Sequence, residues 1–217
     1  MSYYFSEHSE VPDKPSLISY RFHGRDLVFH SNSGVFSKEH IDQGTETLLD
    51  AFYEDMEKLK DENLELFGSL TKGQALDLGT GYGAIAIVAK KLYPASTWTL
   101  SDVNDHALDL ARKNLEENFI QGSRVIKSDG FEHLEGSFDL ILSNPPIRVG
   151  KDKLYELFRG MQAHLSPEGR AYIVIGKKQG AKSAQTYLES LFSQVDLIYK
   201  KKGFHILRLQ AAKDEEA

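Results

Sequence analysis

The sequence contains no cysteine among its 217 residues, which excludes disulfide bonds, thiol nucleophiles and thiolate metal sites. Its histidines show neither HxxxH nor HExxH spacing, so we predict no metal centre. Long apolar runs are missing too, since none approaches the roughly 20 residues of a membrane-spanning helix. The N-terminus lacks the basic start and apolar core of a signal peptide. Together these absences predict a cytoplasmic protein without a membrane partner.

Positive charge is scarce as well, because the 26 Lys and Arg residues are outnumbered by 32 Asp and Glu residues, which gives a net charge of -6. Nonspecific nucleic-acid binding depends mainly on phosphate neutralisation by Lys and Arg. A general affinity for nucleic acid is therefore not expected, although a local basic patch can still bind it. The length suits one well-cored domain, and a hydrophobic content of 41% and a charged content of 27% are ordinary for a globular protein.

The N-terminal part of the chain alternates polar and apolar residues on both sides of a His-Gly pair, which predicts a β-hairpin over residues 17–22 and 26–30. Helical spacing of apolar residues begins soon afterwards. We therefore expect a small hairpin appendage within residues 1–44 and a main domain over residues 45–217.

The main domain is predicted to open with a helix from Thr45, which ends in a solvated polar run and loop over residues 58–65. Short apolar runs then alternate with helical patterns, which is typical of parallel strands joined by right-handed crossovers and predicts an α/β fold. Only residues 200–203 separate the last two apolar runs, so the last strand is expected to run antiparallel in a hairpin. The predicted strands are residues 74–78, 98–101, 125–126, 138–143 and 171–175, and the predicted helices are residues 84–92, 106–118, 154–165 and 185–192.

A glycine-rich turn joins the first predicted strand of the main domain to a helix. Gly79, Gly81 and Gly83 in LDLGTGYG allow positive φ angles and let a ligand approach the backbone closely. Asp102 ends the next strand in LSDVN, where a carboxylate can accept both hydroxyl groups of a ribose. Because ligands of open α/β sheets bind at the carboxyl ends of the strands, the pattern predicts a nucleoside-bearing cofactor.

The same glycines also fit the dinucleotide pattern GxGxx(G/A), so the loop alone leaves the cofactor open. Asp77 lies two residues before the first glycine, where a carboxylate would repel a pyrophosphate and attract a cationic sulfonium or ammonium group. This favours S-adenosylmethionine. Asp129 ends the third strand in SDGF and is placed to accept a hydrogen bond from an adenine amino group. The alternative is that Asp77 and Asp129 only cap turns, as aspartates often do.

The motifs LDLGTGYG, SDVN, SDGF and SNPPI, in this order and followed by a terminal hairpin, resemble those of class I S-adenosylmethionine-dependent methyltransferases. The resemblance covers the chain from about residue 74 to its end. It implies a Rossmann-like seven-stranded sheet of order 3-2-1-4-5-7-6, with the last strand antiparallel, and S-adenosylmethionine as the cofactor. The candidate cofactor-binding residues are Asp77, Gly79, Gly81, Gly83, Asp102, Asp129 and Asn144.

The pair Asn144-Pro145 directly follows a buried-looking strand, next to where the methyl group of the cofactor would lie. An exocyclic amine of a nucleobase is a poor nucleophile because its lone pair is delocalised into the ring. We predict that the Asn144 side-chain oxygen and the Pro145 carbonyl accept its hydrogen bonds together as catalytic groups, held rigid by the prolines. Alignment would supply most of the acceleration. The alternative is an ordinary turn that ends the strand.

The longer string SNPPIRVGK, with SNSGVFSKEHIDQGTETLL upstream, resembles more narrowly the guanine-N2 methyltransferases of ribosomal RNA, in particular the catalytic domains of the small subunit methyltransferase C family. This resemblance implies that the upstream segment covers the cofactor, while Asp42 fits a helix cap equally well. Ile147 departs from the aromatic residue with which other NPP-containing enzymes stack on the target. The candidates for the methionine end of the cofactor are Phe36, Asp42, Gly44 and Thr45.

Basic residues follow two neighbouring predicted strands and are expected to form a rim that binds an RNA backbone. We expect ribosomal RNA or the small ribosomal subunit as partner and methylation of guanine N2 in an unpaired or flipped base. Adenine N6 or a protein glutamine are alternative acceptors, and a nicotinamide-dependent oxidoreductase and a noncatalytic RNA-binding module are alternatives of other classes. The oligomeric state stays open. The predicted rim consists of Arg148, Lys151, Lys153, Lys177, Lys178 and Lys182.

Overall fold

The computed structural model describes residues 15–32, 40–145, 150–177 and 180–212. A two-stranded hairpin comes first and a seven-stranded sheet with flanking helices follows, which confirms the predicted α/β fold. Among these described residues, no helix is both long and apolar enough to cross a membrane. The strands are β1 (Ser16–Phe22), β2 (Arg25–Ser31), β3 (Gln74–Leu78), β4 (Thr97–Asp102), β5 (Ser123–Lys127), β6 (Phe138–Ser143), β7 (Leu165–Gly176), β8 (Phe192–Lys201) and β9 (Phe204–Ala212). The helices are α1 (Gln43–Glu62), α2 (Leu64–Lys72), α3 (Ala84–Leu92), α4 (Asp105–Glu117), α5 (Lys151–His164) and α6 (Ala181–Leu191).

The large sheet has the strand order β5-β4-β3-β6-β7-β9-β8, which is the predicted order counted from β3. The strands from β5 to β7 pair in parallel, and β9 is antiparallel to both β7 and β8. The chain order reverses at β3, which is where open α/β sheets bind their ligands. At this point the ends of β3 and β6 lie side by side, because Leu78 pairs with Ser143 and the Ser143 hydroxyl donates to the Leu78 carbonyl at 2.7 Å.

The large sheet separates two apolar cores. One face packs against the hairpin, α1, α3 and α4, and the opposite face packs against α5 and α6. Successive side chains of a strand point to opposite faces, so Leu140 and Ile141 of β6 belong to different cores. The hairpin contributes Ile18 and Phe29 to the first core, so it shares the core of the large sheet.

Both hairpins turn through two residues with positive φ. His23 and Gly24 join β1 to β2 at 44° and 76°, and Lys202 and Gly203 join β8 to β9 at 51° and 86°. Positive φ at both central residues is what a type I′ turn requires, and the twist of that turn matches the twist of paired strands. The two predicted hairpins are confirmed, and the second turn is shorter than predicted because β8 extends to Lys201.

Two asparagines, Asn114 of α4 and Asn118 at the C-cap of that helix, bind the outer edge of β2. Asn118 accepts from the Val28 amide at 3.1 Å and donates to the Val28 carbonyl at 2.7 Å. Asn114 accepts from the His30 amide at 2.7 Å and donates to the His30 carbonyl at 3.0 Å and to the Tyr82 carbonyl at 2.8 Å. Four residues along a helix and two residues along a strand both span about 6 to 7 Å. Asn114 and Asn118 are therefore spaced to reach His30 and Val28, which lie two residues apart in β2. Asn114 thereby joins the hairpin to the loop that precedes α3.

Helix α1 is fixed to the sheet by a buried ionic cluster around Asp55. Asp55 Oδ2 accepts from Arg170 at 3.0 Å and from the Tyr172 hydroxyl at 2.7 Å, while Oδ1 accepts from Arg208 at 2.6 Å. Arg208 also donates to Asp196 of β8 at 2.6 Å. The middle of the helix is therefore tied to β7 and β9.

The predicted loop over residues 58–65 is wrong. Helix α1 continues to Glu62, and α2 begins at Leu64. Asn63, at φ -150° and ψ 85°, ends the first helix and caps the second, where its side chain accepts from the Leu66 amide at 3.0 Å. Lys, Glu and Leu favour helix strongly, so the polar run continues the solvated face of a helix.

Candidate active site

The glycine loop between β3 and α3 contains three positive φ angles, 73° at Gly79, 56° at Gly81 and 91° at Gly83. The amides of Gly79 and Thr80 both donate to the Ser101 carbonyl at 2.9 Å, which fixes the loop to the end of β4. A Cβ at Gly79 or Gly81 would meet no heavy atom of the described residues within 4 Å, so the loop has an open side. A Cβ at Gly83 would lie 3.2 and 3.3 Å from side-chain carbons of α3 and β4, so this glycine permits close packing.

Asp77 is fully buried near this loop. Its Oδ2 accepts from the Thr80 hydroxyl at 2.7 Å and from the Ala86 amide at 3.0 Å. Its Oδ1 is buried and has no hydrogen-bond partner in the described part of the chain. Burial raises the pKa of Asp77 to about 7, and the negative charge of Asp102 acts in the same direction, although the two hydrogen bonds oppose them. Asp77 thus supports the loop and retains one buried acceptor atom.

Asp102 lies at the end of β4, and its carboxylate is oriented by backbone amides. Oδ2 accepts from the Gly81 amide at 2.9 Å, and Oδ1 accepts from the Asn104 amide at 3.0 Å. Burial raises the pKa of Asp102, and these backbone hydrogen bonds oppose the rise. A carboxylate has about four lone-pair sites, so Asp102 retains capacity to accept from a ligand.

Asp129 is exposed in the turn after β5. Its Oδ1 lies 2.9 Å from Lys153 Nζ of α5, and this contact, together with a weaker one to Glu156, raises the pKa of Lys153. The same turn packs on α5, because a Cβ at Gly160 would clash with the ring of Phe131. Lys153, one residue of the predicted basic rim, therefore faces two carboxylates.

Asn144 is half-buried at the carboxyl end of β6, and Pro145 after it is buried. Three oxygen atoms surround the Asn144 side-chain nitrogen: Asp42 Oδ1 at 3.1 Å, Asp42 Oδ2 at 3.3 Å and Thr45 Oγ1 at 3.0 Å. The side-chain oxygen of Asn144 accepts no hydrogen bond from the described residues. The carboxamide is thus held by its donor end, and its acceptor end is left for another group.

Asp42 caps α1, as one of the two interpretations of this residue predicted. Its Oδ1 accepts from the amides of Gly44 at 2.9 Å and Thr45 at 3.2 Å. Gly44 packs tightly, because a Cβ there would lie 3.3 Å from both Asn144 Nδ2 and Phe204 Cε1. The sequence holds no signal for the contact between Asp42 and Asn144, which are 102 residues apart, nor for Phe204 beside them.

The remaining predicted residues fall into two groups. Lys151, Lys177 and Lys182 are exposed, and Lys151 Nζ lies 5.1 Å from the centroid of the Tyr155 ring. The predicted residues that lie outside the described part of the chain are Phe36, Ile147, Arg148 and Lys178.

Comparison with known proteins places the chain among methyltransferases. Residues 26–208 match the family model described as methyltransferase small domain. The uncharacterized protein YbxB of Bacillus subtilis (strain 168) is 37% identical over 208 residues, which are 95% of this chain and 96% of that protein. Ribosomal RNA small subunit methyltransferase C of Haemophilus influenzae (strain PittEE) is 40% identical over 152 residues, which are 68% of this chain and 41% of that protein. The chain therefore aligns with less than half the length of that ribosomal RNA enzyme.

Among solved structures, a T. thermophilus 16S rRNA N2 methyltransferase (RsmC), in complex with AdoMet and guanosine, is similar with a TM-score of 0.76. The sequences are 24% identical, and the similarity covers 93% of this chain and 52% of that chain, so it establishes a common fold. The motif-based resemblance to methyltransferases is confirmed, since the family model spans every motif from the glycine loop to the Asn-Pro pair. The chain therefore belongs to the methyltransferase small domain family.

Proposed function

We propose that this chain transfers a methyl group from S-adenosylmethionine to guanine N2 of small-subunit ribosomal RNA. The observation that carries the proposal is the Asn144 carboxamide, whose nitrogen is bound by Asp42 and Thr45 so that its oxygen is left to accept from an amine. The substrate is supported by two relatives, one named for small-subunit ribosomal RNA and one solved with AdoMet and guanosine.

The glycine loop fits S-adenosylmethionine. The open side at Gly79 and Gly81 lets a ligand approach the backbone of the loop closely. Asp102 retains acceptor capacity for ribose hydroxyls, and Asp129 has a second carboxylate oxygen besides the one paired with Lys153. Asp77 has one unpartnered oxygen, and its ionised form favours a cationic ligand over a pyrophosphate. When bound, S-adenosylmethionine supplies an electrophilic methyl group on a sulfonium.

Asn144 and Pro145 orient the amine in this proposal. The exocyclic amine donates its two hydrogens to the Asn144 side-chain oxygen and the Pro145 carbonyl, which makes the nitrogen more tetrahedral and frees its lone pair from the ring. No strong base is needed, because the methylated nitrogen is acidic enough to lose its proton to solvent. Alignment of this kind can account for a large part of a rate enhancement.

Transfer of a labelled methyl group tests the substrate. Naked 16S ribosomal RNA, assembled small subunits and release factors are offered in parallel, and the products are digested and separated. We expect label in N2-methylguanosine. Label in N6-methyladenosine or in methylglutamine would replace the proposed acceptor, and absence of transfer to all three would contradict the proposal.

The variant Asn144→Ala tests the catalytic assignment. Loss of one positioned hydrogen-bonding group typically lowers kcat by about 100-fold or more, and we expect such a loss here. The Kd of S-adenosylmethionine, measured by calorimetry, should change little. Asn63→Ala is the control, because Asn63 caps α2 and its side chain contacts its own helix. Equal effects of the two variants would contradict a catalytic role for Asn144.

A further inference from the structure

The contacts of the Asn144 carboxamide assign a role to α1 in catalysis. We infer that Asp42 and Thr45 are positioning residues that fix the Asn144 side-chain oxygen toward the acceptor amine. This inference rests on the proposed function. It is carried by three distances from Asn144 Nδ2, of 3.1, 3.3 and 3.0 Å, to oxygens of two residues at the start of one helix.

The chemistry of the neighbours determines which end of the amide faces them. An ionised carboxylate only accepts hydrogen bonds, so the atom of Asn144 nearest to Asp42 has to be the NH₂ group. Asp42 is itself held in place, because its Oδ1 accepts from two backbone amides of α1. The orientation of the carboxamide thus follows from the charge of Asp42.

A fixed orientation matters because a carboxamide is nearly symmetric in shape. A rotation by 180° would exchange oxygen and NH₂, and the site would then present a donor to an amine that needs an acceptor. Hydrogen bonds also polarise one another, so donation from the NH₂ group to a carboxylate strengthens the amide oxygen as an acceptor. Asp42 therefore both orients Asn144 and raises its capacity to accept.

Helix capping alone does not account for this arrangement. Ser and Thr cap helices about as well as Asp, so a cap does not require a charge. Gly44 costs helix stability relative to alanine, yet a Cβ there would lie 3.1 Å from Asp42 Oδ1 and 3.3 Å from both Asn144 Nδ2 and Phe204 Cε1. A glycine at position 44 thus allows Asp42 and Asn144 to approach each other closely.

An exchange of the two side chains tests the inference. Asn144→Asp places two carboxylates in contact, and we expect a loss of about 100-fold or more in kcat. In the double variant Asp42→Asn with Asn144→Asp, the amide at position 42 caps α1 and donates to the carboxylate at position 144. This variant should recover most of the lost kcat. If Asp42 only stabilised the fold or bound the cofactor, the second substitution would not restore kcat.

Thr45 provides a second, independent readout. Thr45→Val keeps the shape but removes the hydroxyl, and we expect kcat to fall about tenfold, as for loss of one hydrogen bond, with the Kd of S-adenosylmethionine and the unfolding midpoint nearly unchanged. Thr45→Ser should retain activity. The matched control is Thr47→Val, because Thr47 is also buried in α1 but its hydroxyl donates to the Gln43 carbonyl.

Asp42→Ser separates capping from positioning, since serine keeps the cap but lacks the charge. Its effect on kcat should disappear in an Asn144→Ala background, because Asp42 acts through Asn144. The inference would be overturned if the effects of Asp42→Ser and Asn144→Ala on kcat were additive, or if the exchange variant did not recover kcat. In either case methyl transfer by the wild-type protein would still support the proposed function. Absence of any methyl transfer by the wild-type protein would overturn both.

Discussion

Asp77 is a buried carboxyl group whose pKa burial raises to about 7. In the unfolded chain the same group titrates near 4, so the folded protein holds a proton between about pH 4 and pH 7 that the unfolded chain does not. Binding of that proton stabilises the folded state. This stabilisation is fully present below about pH 4 and is lost as the pH rises through about 7. The free energy of unfolding of the cofactor-free protein should therefore fall over this interval.

Asp77→Asn should remove this fall, because the amide oxygen can still accept from Thr80 and Ala86 while no proton is exchanged. Urea unfolding at a series of pH values between 5 and 8 measures the slope for each variant. Asp139→Asn is the control, since Asp139 accepts from the Gln74 amide at the other end of β3. An equal slope in the wild type and the Asp77 variant would show that Asp77 is not the titrating group.

The sequence pattern predicts the residues of the candidate site that stand at the ends of strands, whereas Asp42 and Thr45 are indicated only by the resemblance to a known family. Asp77, Asp102 and Asn144 each stand at the end of an apolar run, and parallel strands bring such ends to one edge. The bond between Asn144 and Asp42 could not be predicted, because it joins residues 102 apart through the packing of α1.

Helix α4 determines where the hairpin lies beside the glycine loop. Asn114→Ala would leave the His30 amide and carbonyl and the Tyr82 carbonyl without this partner. The Tyr82 carbonyl is buried and the His30 groups are partly buried, and an unsatisfied buried group costs about 1 to 3 kcal/mol, so we expect a loss of about 2 to 3 kcal/mol in the free energy of unfolding. Because Tyr82 belongs to the loop, the affinity for S-adenosylmethionine should fall as well.

Asn118→Ala is the matched control for this element. It removes both hydrogen bonds to Val28 and one to the Asn114 carbonyl, yet it leaves the bond from Asn114 to the loop. Stability should fall while calorimetry finds the cofactor affinity nearly unchanged. Equal losses of affinity in the two variants would mean that the hairpin as a whole, and not Asn114, supports the loop.

At the scale of elements, periodicity predicts most of the fold. The strand over residues 74–78 and the helix over residues 84–92 have the predicted bounds, because their apolar residues follow the periods of strand and helix. Helix α2 was missed because a polar run was interpreted as a loop, although its residues are strong helix formers. The break between the two helices depends on a single residue, Asn63, whose side chain caps α2.

Across the whole molecule, α1 joins the candidate site to the far half of the sheet. Its N-terminus carries Asp42 and Thr45 beside Asn144, and its middle carries Asp55 against β7 and β9. One helix thus connects the candidate site to an ionic cluster beneath it on β7 and β9. Removal of one partner of a buried ion pair strongly destabilises a protein, because the other charge stays buried without compensation.

Asp55→Ala should therefore lower the free energy of unfolding by about 3 kcal/mol, because the buried Arg170 and the half-buried Arg208 lose their carboxylate. Asp50→Ala is the control on the same helix, since its partner Lys201 is largely exposed at 44% and water replaces the lost contact. Denaturant unfolding of the two variants measures the difference. If the ionic cluster also positions α1, methyl transfer below the unfolding transition should fall for Asp55→Ala and stay unchanged for Asp50→Ala. Equal stability of the two variants would contradict a role for the cluster in holding α1 to the sheet.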